Sequence, residues 1–275
     1  MLPRRLSLIN ARFLTSVMID ESAARALHRQ VRVLCWIPST EKQLNSKVRA
    51  VNDTWVKRCD GHVFFVDTQH HNASSDVIEL GVKDGRGHLT DKSVAALAYV
   101  YEKYGKDYDW FLKGDDDAYV VVENLKFLLS HYNPNTPVYL GHLYKWHLRE
   151  GSGGASYVLS REALRLLNVN GIRRNKCRLT GHEDVEIGRC LHTVGMSSHN
   201  TLDRFGRETF HPLNPSTHIG ADCCSQLSIS FHKVNPDLMR VVDHLLYRTS
   251  VYGRNLDMKS LQLHFIEPGI VPPLE

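Results

Sequence analysis

The sequence feature that most constrains the fold is a short apolar run that ends in three consecutive carboxylates, Trp-Phe-Leu-Lys-Gly-Asp-Asp-Asp-Ala-Tyr-Val at residues 110–120. The apolar residues 110–112 predict a buried strand. The acids cannot continue into a core, because burial of an unpaired carboxylate is strongly unfavourable. We therefore expect Asp115, Asp116 and Asp117 to lie at the carboxyl end of a strand.

The position of these carboxylates predicts a metal site. Open α/β sheets bind ligands outside the carboxyl ends of their strands. Clustered carboxylates there suit a hard divalent cation such as magnesium or manganese, which in turn holds a phosphate. The alternative is a solvated acidic turn that caps the next helix, since residues 120–129 have a helical pattern. The apolar residues on both sides favour the metal site, because a surface turn does not need buried flanks.

The remaining pattern predicts an α/β fold with a mainly parallel, twisted sheet flanked by helices. Its strands are apolar and β-branched, as in sheets that are buried on both faces, and its helices show apolar residues spaced by three and four. Strands are predicted at residues 31–37, 62–67, 77–80, 137–142 and 227–232, and helices at residues 20–29, 44–57, 89–104, 160–167 and 182–191.

Charged residues outside the triple acid are further candidates. Arg86, in the turn Asp84-Gly85-Arg86-Gly87, is placed to reach a phosphate or ribose, with a solvated turn as the alternative. Lys92 lies in the first turn of a predicted helix, where a cation opposes the helix dipole, so a bound anion would explain it. Glu183 and Asp184 open another predicted helix, where they either stabilise its N-terminus or supply a general base.

Composition limits the class of protein. The 275 residues, 42% of them hydrophobic, are enough for one large or two small globular domains. A net charge of +4 without a long Lys/Arg run gives no support for a nucleic-acid partner. Residues 6–19 are apolar but interrupted by Arg12 and too short to span a bilayer, which indicates a truncated anchor, a stem or a poor signal peptide.

The six cysteines indicate an oxidised protein of the secretory pathway. They form no C-x-x-C pair, so a disulfide framework fits better than structural zinc. Their separations suggest Cys35 with Cys59 and Cys177 with Cys190, which leaves Cys223 and Cys224 either bonded to each other or free. We divide the chain into an N-terminal extension (1–30), one catalytic domain (31–253) and a C-terminal tail (254–275).

The ordered motifs closely resemble one family. They are Val-Arg-Val-Leu-Cys-Trp-Ile (31–37), Asp-Trp-Phe-Leu-Lys with the triple Asp (109–117), Gly-Gly-Ala with Tyr-Val-Leu-Ser (153–160), Glu-Asp with Gly-Arg-Cys (183–190), Glu-Thr-Phe-His-Pro (208–212), and Cys-Cys-Ser with Ser-Phe-His (223–232). Between about 31 and 253 the chain resembles the core 1 synthases, the glycoprotein-N-acetylgalactosamine 3-beta-galactosyltransferases, and more distantly the fringe-like beta-1,3-glycosyltransferases.

The resemblance implies a glycosyltransferase A-type fold and an enzyme that transfers galactose, with inversion, from UDP-galactose to the 3-hydroxyl of O-linked N-acetylgalactosamine on glycoproteins. It implies manganese as cofactor and residence in the Golgi lumen, where relatives are single-pass type II membrane proteins; a homodimer is compatible with it. Asp115, Asp117 and His232 would bind the metal and Asp184 would be the base, although a lone His at a strand end is more often structural. The residues that would line the nucleotide are Arg49, Asp84, Gly85, Arg86, Lys92, Asp115 and Asp116.

The chain also departs from the resemblance. Residues 213–222 contain no aromatic residue where the family has a longer segment rich in Trp and Tyr, which concerns part of the acceptor site. Ser156 stands where the family usually has Gly, and Ala118 where it usually has Thr. The alternatives are therefore a non-catalytic, chaperone-like or binding homologue and a transferase with another acceptor. The related chaperone lacks the triple Asp, so its presence here favours an enzyme.

Overall fold

A computed structural model describes residues 22–67, 76–83, 85–143, 152–177, 182–217 and 223–249. In chain order the elements are α1 (Ser22–Gln30), β1 (Val33–Pro38), α2 (Arg49–Asp53), β2 (Gly61–Val66), β3 (Val77–Glu79), α3 (Leu89–Tyr104), β4 (Trp110–Lys113), β5 (Tyr119–Val120), α4 (Val122–Leu129), β6 (Tyr139–Leu143), β7 (Ser152–Ser160), α5 (Arg161–Leu166), α6 (Glu183–Thr193), β8 (Ser198–His199), β9 (Phe210–His211), β10 (Ser230–Phe231) and α7 (Pro236–Arg248). Short 3-10 or π-helical segments lie at Glu41–Gln43, Leu44–Val48, Trp55–Arg58, Arg86–His88, Leu167–Gly171 and Ile172–Arg174.

A seven-stranded sheet forms the centre, in the order β3-β2-β1-β4-β7-β6-β8. Neighbouring strands pair in parallel except on the two sides of β7, which is antiparallel to both β4 and β6. The predicted α/β class with a mainly parallel sheet is therefore confirmed. The parallel part places the carboxyl ends of β1, β2 and β4 at one edge, which is the edge predicted to carry the site.

Both faces of this sheet are buried. Along β1, Val33, Cys35 and Ile37 belong to one apolar cluster, whereas Leu34 and Trp36 belong to the other. Helices α4 and α7 contribute to the first cluster, and α3 and α6 to the second. Side chains alternate across a strand, so an uninterrupted apolar strand requires helices on both faces. Of the helices that the structure describes, none is long and apolar enough to cross a membrane.

A second, three-stranded sheet in the order β5-β10-β9 lies beyond the triple acid. Tyr119 pairs with Phe231 and Val120 with Ser230, so the predicted helix 120–129 begins two residues later, at Val122. The predicted strand 227–232 is shorter than expected and spans Ser230–Phe231. The predicted helix 44–57 is a composite of π, α and 3-10 segments.

The structure contains the disulfides Cys35–Cys59, Cys177–Cys190 and Cys223–Cys224. The first two are the pairings that the separations suggested, and the third decides between the two alternatives left open for the adjacent cysteines. Residues 1–21 and 250–275, which contain most of the predicted extension and all of the tail, lie outside the described residues.

Strand β7 has an irregularity at Ser156. Its pairing with β6 shifts register between Gly141, which pairs with Tyr157, and Leu143, which pairs with Ser152. Ser156 adopts a φ of 76°, in the left-handed region that L-residues avoid at a cost of about 1–2 kcal/mol. Glycine has no such cost, which gives a physical reason for the Gly that the resemblance leads us to expect at this position.

Replacing Ser156 with glycine is expected to raise the free energy of unfolding by about 1 kcal/mol. The change removes the steric cost and also a buried hydroxyl that has no hydrogen-bond partner in the described part of the chain. Urea denaturation measures it. Ser160→Gly is the control, because Ser160 has a φ of −68° and its hydroxyl accepts from Ala163 N; that variant should be destabilised. Loss of stability in Ser156→Gly would contradict the prediction.

Candidate metal and donor site

The loop that carries the three acids is held close to the core. Gly114 N donates to Trp36 O (3.1 Å), and Ala118 N donates to Asp115 O (3.0 Å), which closes a tight turn over the acids. A Cβ atom on Gly114 would lie 2.8 Å from the indole ring of Trp55. Glycine therefore allows the chain to pass the buried tryptophan before it turns outward, and it sets where the carboxylates begin.

His232 reaches the same place from the far end of the chain. Strand β10 pairs with β5, and His232 N donates to His211 O (3.0 Å) while Val234 N donates to Asp117 O (2.8 Å). The imidazole Nε2 consequently lies 3.2 Å from Asp117 Oδ1 and 3.7 Å from Asp115 Oδ2. The pairing of two short strands thus brings together residues that are remote in sequence.

Asp115, Asp117 and His232 have the composition of a metal site. One ligand atom from each lies within 4.8 Å of the others. Two carboxylates and one imidazole form a mixed oxygen and nitrogen donor set that suits a divalent metal ion. The cluster matches the three predicted metal ligands, and its side chains are only partly buried, which leaves them accessible to a bound ligand.

The charges of the cluster are coupled. Burial acts to raise the pKa of Asp117, but hydrogen bonds and charge from His232 and Lys47 outweigh it and lower the pKa to about 2. Burial acts to lower the pKa of His232, and the hydrogen bond with Asp117 and the charge of Asp115 outweigh it, so this pKa is raised. Without a metal, the two carboxylates thus favour the protonated form of the imidazole.

Asp116 points to a different set of partners. Its Oδ2 accepts a hydrogen bond from Ser39 Oγ (2.7 Å), at the carboxyl end of β1. Its Oδ1 accepts from Lys47 Nζ (3.0 Å), which also donates to Asp117 Oδ2 (3.1 Å). Lys47 is not among the residues predicted from the sequence, because nothing in its flanking sequence separates it from the exposed Lys42 and Lys57.

A buried lysine connects Asp115 to Glu183, the residue that precedes the predicted base. Lys113, whose side chain is 5% exposed, lies 2.7 Å from Asp115 Oδ1 and 3.2 Å from Glu183 Oε2. Tyr157 OH also donates to Glu183, at 3.4 Å. Burial raises the pKa of Glu183, and the charge of Lys113 opposes this. Glu183 is thus engaged in a buried network. Lys113, like Lys47, is not among the site residues predicted from the sequence.

Asp184 is the next residue of α6 and is only partly buried. Its Oδ1 accepts a hydrogen bond from Val185 N (3.0 Å), as an acid at a helix N-terminus does. The Lys113 contacts place the start of this helix beside Asp115. Of the two acids that were candidates for the base, Glu183 is the one for which a direct contact with Lys113 is described.

The predicted nucleotide-lining residues are placed as follows. Lys92 is buried, donates to Ser39 O (3.0 Å) and lies 3.9 Å from Asp67. Because Ser39 also donates to Asp116, Ser39 links Lys92 to the acids.

The other predicted nucleotide-lining residues are less closely connected to the acids. Arg49 is on α2, with its side chain 71% exposed and 3.9 Å from Asp53. The described contacts do not join Arg49 to the carboxylates. Gly85 has a φ of 120°. Asp84 and the Arg86 side chain lie outside the described residues.

The comparison with protein families identifies this chain. The family model described as Fringe-like matches residues 30–245. The chain belongs to the Fringe-like family. It is 35% identical over 259 residues to glycoprotein-N-acetylgalactosamine 3-beta-galactosyltransferase 1 of Xenopus laevis, across 85% of this chain and 71% of the frog protein. It is 32% identical over 177 residues to chondroitin sulfate synthase 3 of Homo sapiens, across 58% of this chain and 20% of that protein.

Among solved structures, the catalytic domain of Drosophila beta1,4galactosyltransferase 7 in complex with xylobiose shares 14% sequence identity with the Fringe-like chain, with a TM-score of 0.40, over 84% of this chain and 79% of that one. The Fringe-like match contains Asp115, Asp117, Asp184 and His232. The Fringe-like match and the 35% identity to the frog enzyme confirm the resemblance read from the motifs and the predicted glycosyltransferase class.

Proposed function

We propose that this Fringe-like protein is an inverting, manganese-dependent beta-1,3-galactosyltransferase. It transfers galactose from UDP-galactose to the 3-hydroxyl of O-linked N-acetylgalactosamine on a glycoprotein. The observation that carries the proposal is the convergence of Asp115, Asp117 and His232 at the carboxyl edge of the sheet, in a chain 35% identical to a glycoprotein-N-acetylgalactosamine 3-beta-galactosyltransferase.

The reaction is a single displacement at the anomeric carbon. The carboxylate of Asp184 accepts the proton of the acceptor 3-hydroxyl. The acceptor oxygen forms a bond to C1 of galactose from the face opposite the diphosphate, and the bond from C1 to the β-phosphate oxygen breaks. UDP leaves with that electron pair, so the configuration at C1 inverts. One placed carboxylate suffices, because no covalent sugar intermediate forms.

The other residues bind and orient the donor. Asp115, Asp117 and His232 would hold manganese, which when bound supplies positive charge that neutralises the departing diphosphate. Asp116, fixed by Ser39, together with Lys92 and the turn that contains Gly85, is assigned to the nucleotide. Lys113 holds Asp115 and Glu183 in one buried network, which orients a metal ligand and the start of the base helix together.

The proposal is tested by measuring UDP release from UDP-galactose in the presence of N-acetylgalactosamine linked to a Ser/Thr peptide, with and without manganese. Release that needs both the peptide and manganese is expected. UDP-N-acetylglucosamine and UDP-glucose serve as donor controls. Transfer to a different sugar would support the transferase with another acceptor, which the lack of aromatic residues at 213–222 favours. Manganese and UDP binding without any transfer would indicate the non-catalytic homologue.

Residence in the Golgi lumen and a glycoprotein partner belong to the same proposal. The three disulfides fit an oxidising compartment of the secretory pathway. An inverting transferase that uses UDP-galactose requires its donor and its glycoprotein acceptor in the same lumen.

Manganese affinity is expected to fall as the pH is lowered through the raised pKa of His232. The imidazole must lose its proton to bind a metal, so the affinity should change by about tenfold per pH unit below that pKa and level off above it. Asp117, with a pKa of about 2, stays ionised throughout this range. Electron paramagnetic resonance of free manganese between pH 6 and 9 measures the effect.

Thermal stability of the metal-free protein is expected to change with pH in the opposite direction to manganese affinity. A histidine with a raised pKa stabilises the fold below its ordinary pKa, and this contribution is lost as the pH rises through the folded value. Thermal stability without metal should therefore decrease over the range in which manganese affinity increases. His232→Gln should remove both trends; their persistence would assign them to another group.

A further inference from the structure

The cations around the three acids are of two kinds. Lys113 is buried against Asp115 and Glu183, so it is part of the fold. Lys47 is 30% exposed and contacts both Asp116 and Asp117 at the surface of the cluster. It belongs to the π-helical segment Leu44–Val48, which follows the carboxyl end of β1. Lys47 thus contacts the carboxylates at the edge of the sheet where α/β proteins bind ligands.

The two oxygens of Asp117 have different partners. Oδ1 faces His232 (3.2 Å) and Oδ2 accepts a hydrogen bond from Lys47 (3.1 Å). A metal held between Asp117, Asp115 and His232 would therefore have an ammonium group on the other side of the same carboxylate. Two cations around one carboxylate still repel each other, and the repulsion is reduced when a further anion contacts both of them.

The ammonium group of Lys47 has one N–H left to donate a hydrogen bond to such an anion. An ammonium group carries three N–H donors. The two hydrogen bonds that Lys47 forms within the described part of the chain, to Asp116 and Asp117, use two of them. The third is available to a non-bridging phosphate oxygen, and the long unbranched side chain lets the group move toward it.

We infer that Lys47 is a donor-binding residue that contacts the diphosphate of the nucleotide sugar and weakens metal binding until that diphosphate is present. The inference rests on the proposed function and adds a residue to its donor site. It makes metal and nucleotide mutually dependent, because each increases the affinity for the other by the same factor. Metal alone would bind weakly, and the complete site would form only with the donor.

The test replaces Lys47 with methionine, which keeps the length of the side chain and removes the charge. We expect two changes of opposite sign. Manganese alone should bind about three- to tenfold more tightly, because a neighbouring positive charge is lost. UDP in saturating manganese should bind about tenfold or more weakly, because a charged hydrogen bond to phosphate is lost. Calorimetry with manganese alone and then with UDP measures both.

Lys57→Met is the matched control, since Lys57 is an exposed lysine of the same part of the chain whose Nζ donates to Asp53 O. It should change neither affinity. Unchanged UDP affinity in Lys47→Met would overturn the inference, and so would weaker binding of manganese alone, which would mean that Lys47 preorganises the carboxylates. If the unmodified protein binds UDP with manganese and Lys47→Met does not differ from it, this inference fails alone. If the unmodified protein binds neither manganese nor UDP, the proposed function fails together with this inference.

Discussion

Asp117→Ala is expected to abolish manganese-dependent UDP binding. Asp117 is the centre of the cluster, because its Oδ1 faces His232, its Oδ2 accepts from Lys47 and its carbonyl accepts from Val234 N. Changes to residues that only support a metal ligand cost about 10- to 100-fold in metal affinity, so loss of a ligand itself should cost at least about a hundredfold. Calorimetric titration of UDP in the presence of manganese gives the result directly.

The substitution leaves the backbone contact with Val234 in place, so the variant is expected to fold. Thermal unfolding without metal verifies this. Asp237→Ala provides the matched control, since Asp237 is a fully exposed aspartate on α7 whose described ion-pair partner, Arg240, lies 3.9 Å away. Unaltered UDP affinity in Asp117→Ala would show that the triple acid is a solvated turn, the alternative that the sequence left open.

Asp184→Asn is expected to bind manganese and UDP normally and to transfer galactose at least about a hundredfold more slowly. Asparagine keeps the size of the side chain and the hydrogen bond from Val185 N, but it cannot accept the acceptor proton. General-base catalysis contributes about 10²- to 10⁴-fold. The comparison of kcat with the affinity for UDP separates the role of a base from that of a donor ligand.

Glu183→Gln, at the preceding position, is a useful comparison with Asp184→Asn. Glu183 is a partner of the buried Lys113, and removal of one charge of a buried pair is typically strongly destabilising. This variant should lose more thermal stability than Asp184→Asn, because Lys113 would keep a buried charge with one partner fewer. Near-normal turnover in Asp184→Asn would exclude Asp184 as the base. Loss of UDP binding together with activity would make the acid pair a structural or donor-binding element.

Local sequence patterns determined most of the strands and helices of this protein and the position of the three acids at a strand end. The apolar run 110–112 followed by three acids predicted a strand that ends at a site, because apolar burial and carboxylate solvation impose opposite locations on adjacent residues. The uninterrupted apolar strands predicted a sheet covered on both faces, and the helix 89–104 matches the observed α3, Leu89–Tyr104. These properties depend on the chemistry of neighbouring residues, which the sequence states directly.

Tertiary structure decided which charges meet. His232 joins Asp115 and Asp117 because β10 pairs with β5 in one particular register, and no local pattern encodes that register. Lys47 and Lys113 look like other lysines in the sequence, yet the fold places one at the surface of the cluster and buries the other between two acids. A side chain's partners, and hence its pKa and its role, depend on distances between remote segments. Those distances are fixed only when the chain is packed.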